Sequence, residues 1–125
     1  MSYNLFMVAY SILTAVFGLG FVLIPGQILP IYGVEPNASL IFLANLFGAA
    51  LLSLALLAWL SRKFNDSEAR RVIILALLIG EALGLVLAFI GQINGILNAL
   101  GWFIVLIYLL MTLGLAYFQF SKSKS

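Results

Sequence analysis

The sequence predicts an all-α integral membrane protein, a four-helix bundle whose helices each cross the bilayer. Of its 125 residues, 65% are hydrophobic and only 8% are charged, far too few polar groups for a water-facing surface. The hydrophobic residues also lie in long continuous runs. Runs of about 20 residues are typical of membrane-spanning helices, whereas the strands of a membrane barrel alternate and are shorter. We therefore expect one transmembrane domain over residues 1–125.

Each predicted span has recognisable limits. The spans cover about residues 5–24, 40–60, 72–90 and 96–118. The first stops at Pro25, because proline lacks an amide hydrogen and disfavours helix in the residue before it. The third follows a helix-start pattern in which Asn65 would cap the helix and Glu68 lies three residues later. No basic residue precedes the first span as it would in a signal peptide, so we interpret this span as retained.

The basic residues predict the orientation of the spans. All six lie in the connection after the second span or beyond the fourth: Arg62, Lys63, Arg70, Arg71, Lys122 and Lys124. Positively charged connections stay in the cytoplasm. We therefore expect a multi-pass protein of the cell (inner) membrane with both termini cytoplasmic. Glu35 is on the opposite, outer side, which carries no basic residue.

The connection between the first two spans, residues 25–39, is the longest on the outer side. Its prolines and glycines argue against one regular helix. It also carries apolar residues, such as Ile28, Ile31 and Tyr32, that would not remain free in water. We interpret it as a segment that lies on the membrane or caps the bundle, with a docking surface for a partner as the alternative.

One acidic residue near the middle of the third span is the main functional candidate. A charge at this depth costs at least about 2.5 kcal/mol on insertion scales. No Lys or Arg lies within any span to pair with Glu81. Thr14 and Tyr108 fall at about the same depth and could hydrogen-bond it, so the three form a candidate intramembrane polar site. Glu81 is either an interhelical hydrogen-bonding residue or a site for a proton, a cation, a cofactor or a partner subunit.

Small and polar residues mark the helix faces that are expected to pack. In the third span a stripe of small residues predicts close helix approach: Gly80, Gly84, Ala88 and Gly91. In the first two spans, Gly18 and Gly48 lie on such faces. A second polar cluster is predicted at the outer end: Asn45, Gln92, Asn94 and Asn98. For this cluster we favour turn and capping roles over a binding site.

An internal repeat of two-helix units is a further hypothesis. Asn45 and Gly48 in the second span have the same spacing as Asn98 and Gly101 in the fourth. Parallel repeats of this kind occur in transporters. Short matches also arise by chance in a chain this rich in leucine and glycine.

The residue types that the sequence lacks exclude several kinds of catalytic and cofactor site. The chain has no cysteine and no histidine, which removes thiol catalysis, iron–sulfur clusters, the usual haem ligand and the usual general base. We expect no enzyme activity, no metal and no cofactor, although bound lipid is compatible with the sequence. Expected partners are membrane lipids and either other membrane subunits or a second copy, but no nucleic acid. The basic segment serves as a topology signal and can contact anionic head groups.

Several short motifs resemble a known group of proteins. They are Leu46–Leu52, Ala58–Leu60, Ala82–Gly84 and the Tyr32-Gly33 pair of the outer connection. Together they are similar to small four-helix bacterial membrane proteins loosely grouped as DoxX-like. The resemblance covers most of the chain and implies a membrane-embedded four-helix fold. That group has no single agreed activity, so it implies no site residues.

Three functions are compatible with these observations. We favour a non-catalytic accessory or assembly subunit of a larger membrane complex, because the chain is small, apolar and poor in catalytic residue types. A small oligomeric transporter or channel that uses Glu81 is the first alternative. A lipid- or quinone-binding protein, with the outer connection as a lid, is the second.

Overall fold

The computed structural model describes residues 2–120, and this part of the chain is all-helical. It contains five helices: α1 (Tyr3–Leu23), α2 (Pro25–Ile31), α3 (Ala38–Ser61), α4 (Ser67–Ile93) and α5 (Gly101–Phe120). All except α2 are long and apolar enough to cross a membrane. The predicted all-α class is thus confirmed, and four helices that could span a membrane indicate a multi-pass membrane protein. Lys122 and Lys124 lie outside the described residues.

Two predicted helix starts were wrong. The last long helix starts at Gly101 and not at residue 96. Residues 94–100 instead form a turn, in which Gly95 has a φ of 75° that other residues rarely adopt. The cap of α4 is Asp66 and not Asn65, because the Asp66 carboxylate accepts a hydrogen bond from the Glu68 amide at 3.0 Å.

The outer connection contains a short helix, α2, that begins directly at Pro25. Proline is well suited to the first helical position, because the amide there has no partner within the helix. The helix ends at Ile31, and Tyr32 and then Gly33, with a φ of 80°, follow it. Burial raises the pKa of the Tyr32 hydroxyl above its usual value, so this group stays neutral at physiological pH.

The chain forms two compact units, Met1–Arg62 and Lys63–Ser125. In the first unit, α1 and α3 pack along one another and α2 contacts both. The backbones of α1 and α3 are closest where Gly18 meets Gly48. A Cβ atom on Gly48 would lie 2.7 Å from the Gly18 carbonyl oxygen and 2.9 Å from the Val22 nitrogen. Only glycine leaves room for this crossing, as in other close helix pairs of membrane proteins.

Hydrogen bonds join α1 and α3 at both ends of the pair. At one end, the buried Tyr3 hydroxyl and Ser61 Oγ are 2.9 Å apart. At the other end, Asn45 Nδ2 donates to the carbonyl oxygens of Phe21 and Val22, at 2.9 and 3.1 Å. These carbonyls belong to the last turn of α1, where they lack partners within the helix. The bonds therefore set the alignment of the two helices.

The second unit consists of α4 and α5, joined by the turn at residues 94–100. Near this turn the rings of Phe89 and Trp102 meet edge to face, with their centroids 6.0 Å apart. This geometry is favourable for aromatic pairs. The prediction that residues 1–125 form one domain, a four-helix bundle, stays a prediction.

Candidate functional site

Glu81 and Tyr108 lie near one another within the second unit. Glu81 is on α4, Tyr108 is on α5, and both side chains are half-buried. They lie close enough for the Glu81 carboxyl to interact electrostatically with the Tyr108 hydroxyl. The antiparallel pair of α4 and α5 therefore brings two of the three residues of the predicted polar site together.

Gly84 determines where the Tyr108 ring lies. A Cβ atom on Gly84 would be 2.6 Å from Cδ1 and 2.8 Å from Cζ of that ring. The aromatic ring thus rests on the bare backbone of α4, one helical turn after Glu81. On α5, Thr112 Oγ1 donates to the Tyr108 carbonyl oxygen at 2.7 Å. The position of Tyr108 beside Glu81 depends on the absence of a side chain at Gly84.

Thr14, the third residue of the predicted site, belongs to the first unit. It is half-buried on α1. Its hydrogen bond to Glu81 stays a prediction.

The members of the predicted packing stripe on α4 have different surroundings. Gly84 is covered by Tyr108, as described. A Cβ on Gly91 would make an ordinary contact with Ile96 at 3.8 Å, and Ala88 is half-buried. Gly80 is exposed, and apart from its own stretch of helix no described atom of the second unit would come within 4 Å of a Cβ there. Of the two glycines in the predicted close-packing motif, Gly84 is thus covered by a side chain of α5, whereas Gly80 is not.

The residues of the predicted outer polar cluster make contacts of two kinds. Asn45 bonds to the end of α1, as described above. Gln92 is buried, and its Nε2 donates to the Asn98 carbonyl oxygen at 2.9 Å. The Asn98 side chain accepts from the Leu100 amide at 3.0 Å, and Asn94 follows the last residue of α4. The contacts of Gln92, Asn94 and Asn98 are of the turn and capping kind, whereas Asn45 links two helices.

Gly101 completes the turn between α4 and α5. A Cβ atom there would overlap the Gln92 side chain and lie 2.7 Å from Cβ of Leu97. Gln92 Oε1 is buried against this position and has no hydrogen-bond partner within the described residues. The Gln92 side chain therefore has room only because residue 101 is a glycine.

A comparison with protein families identifies the chain. The sequence model of a domain of unknown function, DUF8292, matches residues 1–124. The chain is a member of the DUF8292 family. No curated protein and no solved structure matches it. The DoxX-like resemblance stays a prediction.

Sequence reasoning missed one interaction in the DUF8292 chain. At the end of α3, the Arg62 guanidinium carbon lies 3.9 Å from the centroid of the Trp59 ring. The sequence predicts only that Arg62 helps to set the orientation of the spans. The spacing of three between Trp59 and Arg62 along a helix could have indicated the contact, because such residues share a face.

The chemistry available at the Glu81 site of the DUF8292 chain is limited. Within the described residues, no three Asp, Glu, His or Cys side chains come together as metal ligands would. What remains is a carboxyl and a phenol in a mostly apolar setting. Such a pair can exchange a proton or hydrogen-bond a polar group presented by another helix.

Proposed function

We propose that this DUF8292 protein is a non-catalytic accessory or assembly subunit of a larger membrane complex. The proposal places it in the cell (inner) membrane with both termini in the cytoplasm. Four long apolar helices support the membrane setting. The basic residues between α3 and α4 support the orientation.

The main support for the proposal is the exposure of Gly80 on α4. Glycine in a helix costs about 1 kcal/mol relative to alanine, so it usually serves packing or backbone geometry. Gly80 is exposed within the second unit, and no other residue of that unit occupies the space beside it. It also directly precedes Glu81, a polar residue that can bond to a neighbouring helix. A partner helix that packs at Gly80 would explain why this position has no side chain.

The large apolar surface of α4 supports the same proposal. Only 11% of the most apolar part of this helix is buried within the chain, although it is the longest of the five. Lipid can cover such a surface. An exposed glycine next to a carboxyl, however, offers a helix a closer approach than the surrounding leucines do.

Purification from the native membrane in mild detergent tests the proposal. We expect the wild-type protein to copurify with at least one other membrane subunit. Gly80→Leu should lose that subunit while keeping its own thermal stability, because the new side chain fills the space where the partner packs. Ala9→Leu, a similar enlargement at an exposed position of α1, should retain it.

Three results would contradict this function. The wild-type protein could run as a monomer and copurify with nothing. Gly80→Leu could retain the partner as well as Ala9→Leu does. If the associated chain proves to be a second copy of the same protein, the assembly is a homo-oligomer and the accessory role is rejected.

A small oligomeric transporter or channel is the second candidate, favoured by the proximity of Glu81 and Tyr108. In liposomes carrying a pH-sensitive dye, the wild-type protein should then conduct protons or small cations. Glu81→Gln keeps the shape of the side chain but cannot ionise, so the flux should fall by about tenfold or more. Absence of wild-type flux, or equal flux in the variant, would reject a transport role for the carboxyl.

A further inference from the structure

We propose that Trp59 and Arg62, at the end of α3, bind the phosphate of an anionic phospholipid head group. This inference depends on the membrane setting of α3 and not on assembly into a complex. Its failure would therefore leave the proposed accessory function unaffected, and the reverse also holds.

The Arg62 side chain is held in place before any ligand binds. Its Nε donates to the Trp59 carbonyl oxygen at 3.1 Å. Its guanidinium lies over the Trp59 indole at 3.9 Å, a distance at which the cation is attracted to the ring face. Two contacts thus fix a side chain that is otherwise flexible, which lowers the entropy lost on binding.

The ligand-binding part of Arg62 is available. Within residues 2–120, the Arg62 side chain makes one hydrogen bond, from Nε to the Trp59 carbonyl oxygen. The two terminal nitrogens of Arg62 have no acceptor within these residues. These nitrogens donate in a planar arrangement that matches two oxygens of a phosphate. Arg62 is half-buried, so part of its surface remains accessible.

The surroundings favour a lipid phosphate. The apolar helix α3 ends at Ser61, so Arg62 lies where a span leaves the hydrocarbon. Trp59 is 42% exposed, and tryptophan at this depth is typical of the head-group region. Lys63 follows directly and adds positive charge, and no acidic residue occurs in the chain between Glu35 and Asp66. Anionic lipids of the cytoplasmic leaflet are attracted to such positions.

Native mass spectrometry of the purified full chain tests the site, with phosphatidylglycerol and phosphatidylcholine as probes. The wild-type protein should retain phosphatidylglycerol preferentially. Arg62→Gln should reduce this retention by about fivefold or more, because the bidentate donor is lost. Trp59→Leu should also reduce it, although it keeps the charge, because the guanidinium is no longer held over a ring. Arg71→Gln removes the same charge from an exposed position and should change retention by less than about twofold.

Each remaining outcome would overturn the proposal. Equal losses in Arg62→Gln and Arg71→Gln would show diffuse attraction and no defined site. Equal retention of the two lipids by the wild-type protein would show that the head-group charge is not recognised. Displacement of phosphatidylglycerol by millimolar inorganic phosphate would identify a soluble anion as the occupant. Loss of a protein partner in Arg62→Gln, with lipid retention unchanged, would identify an acidic protein group instead.

Discussion

Replacing Gly48 by alanine is expected to destabilise the pair of α1 and α3 by about 3 kcal/mol, at the upper end of the range for overpacked sites. The added Cβ would lie 2.7 Å from the Gly18 carbonyl oxygen and 2.9 Å from the Val22 nitrogen. Both are backbone atoms, so no side-chain rotation can relieve the overlap and the helices must separate. Separation would also stretch the hydrogen bonds from Asn45 to the end of α1.

The same substitution at Gly80 provides the matched control. Gly80 is also a glycine within an apolar span, but apart from its own stretch of helix its Cβ would meet no described atom of the second unit within 4 Å. Gly80→Ala should therefore be neutral, or stabilising by up to about 1 kcal/mol through helix propensity. The measurement is loss of helical circular dichroism as SDS is titrated into mild-detergent micelles. Equal effects of the two variants would contradict the close crossing at Gly48.

The sequence predicts the spans well because each span is identified by many residues together. A run of about 20 apolar residues identifies a span even when single residues are ambiguous. Helix limits depend on a few atoms and are harder to predict. Asn65 and Asp66 are both good caps, and only the local geometry makes Asp66 the acceptor for the Glu68 amide. The start of α2 could have been predicted, because Pro25 suits a first helical position.

The proximity of Glu81 and Tyr108 could be predicted in part. A short connection makes α4 and α5 antiparallel neighbours, so residues equally far from the turn lie at similar depth. Depth alone does not distinguish Tyr108 from Thr14. The predicted stripe likewise could not show that Gly84 is covered and Gly80 is open, because both belong to the same spacing. That difference depends on how α4 is rotated about its axis.

The two glycines that suggested an internal repeat make different contacts. Gly48 meets the backbone of α1, whereas Gly101 meets the side chain of Gln92. The asparagines that precede them differ as well. Asn45 donates from its side chain to α1, whereas Asn98 accepts from Gln92 through its backbone. Equal spacing therefore does not correspond to equal chemistry, and the repeat stays a hypothesis.

Gly84→Ala is expected to push the Tyr108 ring away from α4 and to cost about 2 kcal/mol. The cost should be smaller than at Gly48, because the obstructing atoms belong to a side chain. The added Cβ would overlap Cε1 of the Tyr108 ring and lie 2.6 Å from Cδ1 and 2.8 Å from Cζ. Tyr108 remains constrained, since its ring lies against Gly84 of α4 and its backbone is fixed in α5.

A double-mutant cycle separates this steric effect from other consequences of the substitution. In a Tyr108→Ala background the ring is absent, so Gly84→Ala should cost nothing or add slightly to stability. The two positions should therefore be coupled by about 2 kcal/mol in SDS unfolding, within the range for residues in direct contact. Additive effects would mean that the ring does not rest on Gly84. Coupling of the expected size would show that the missing side chain at Gly84 allows Tyr108 to lie near Glu81.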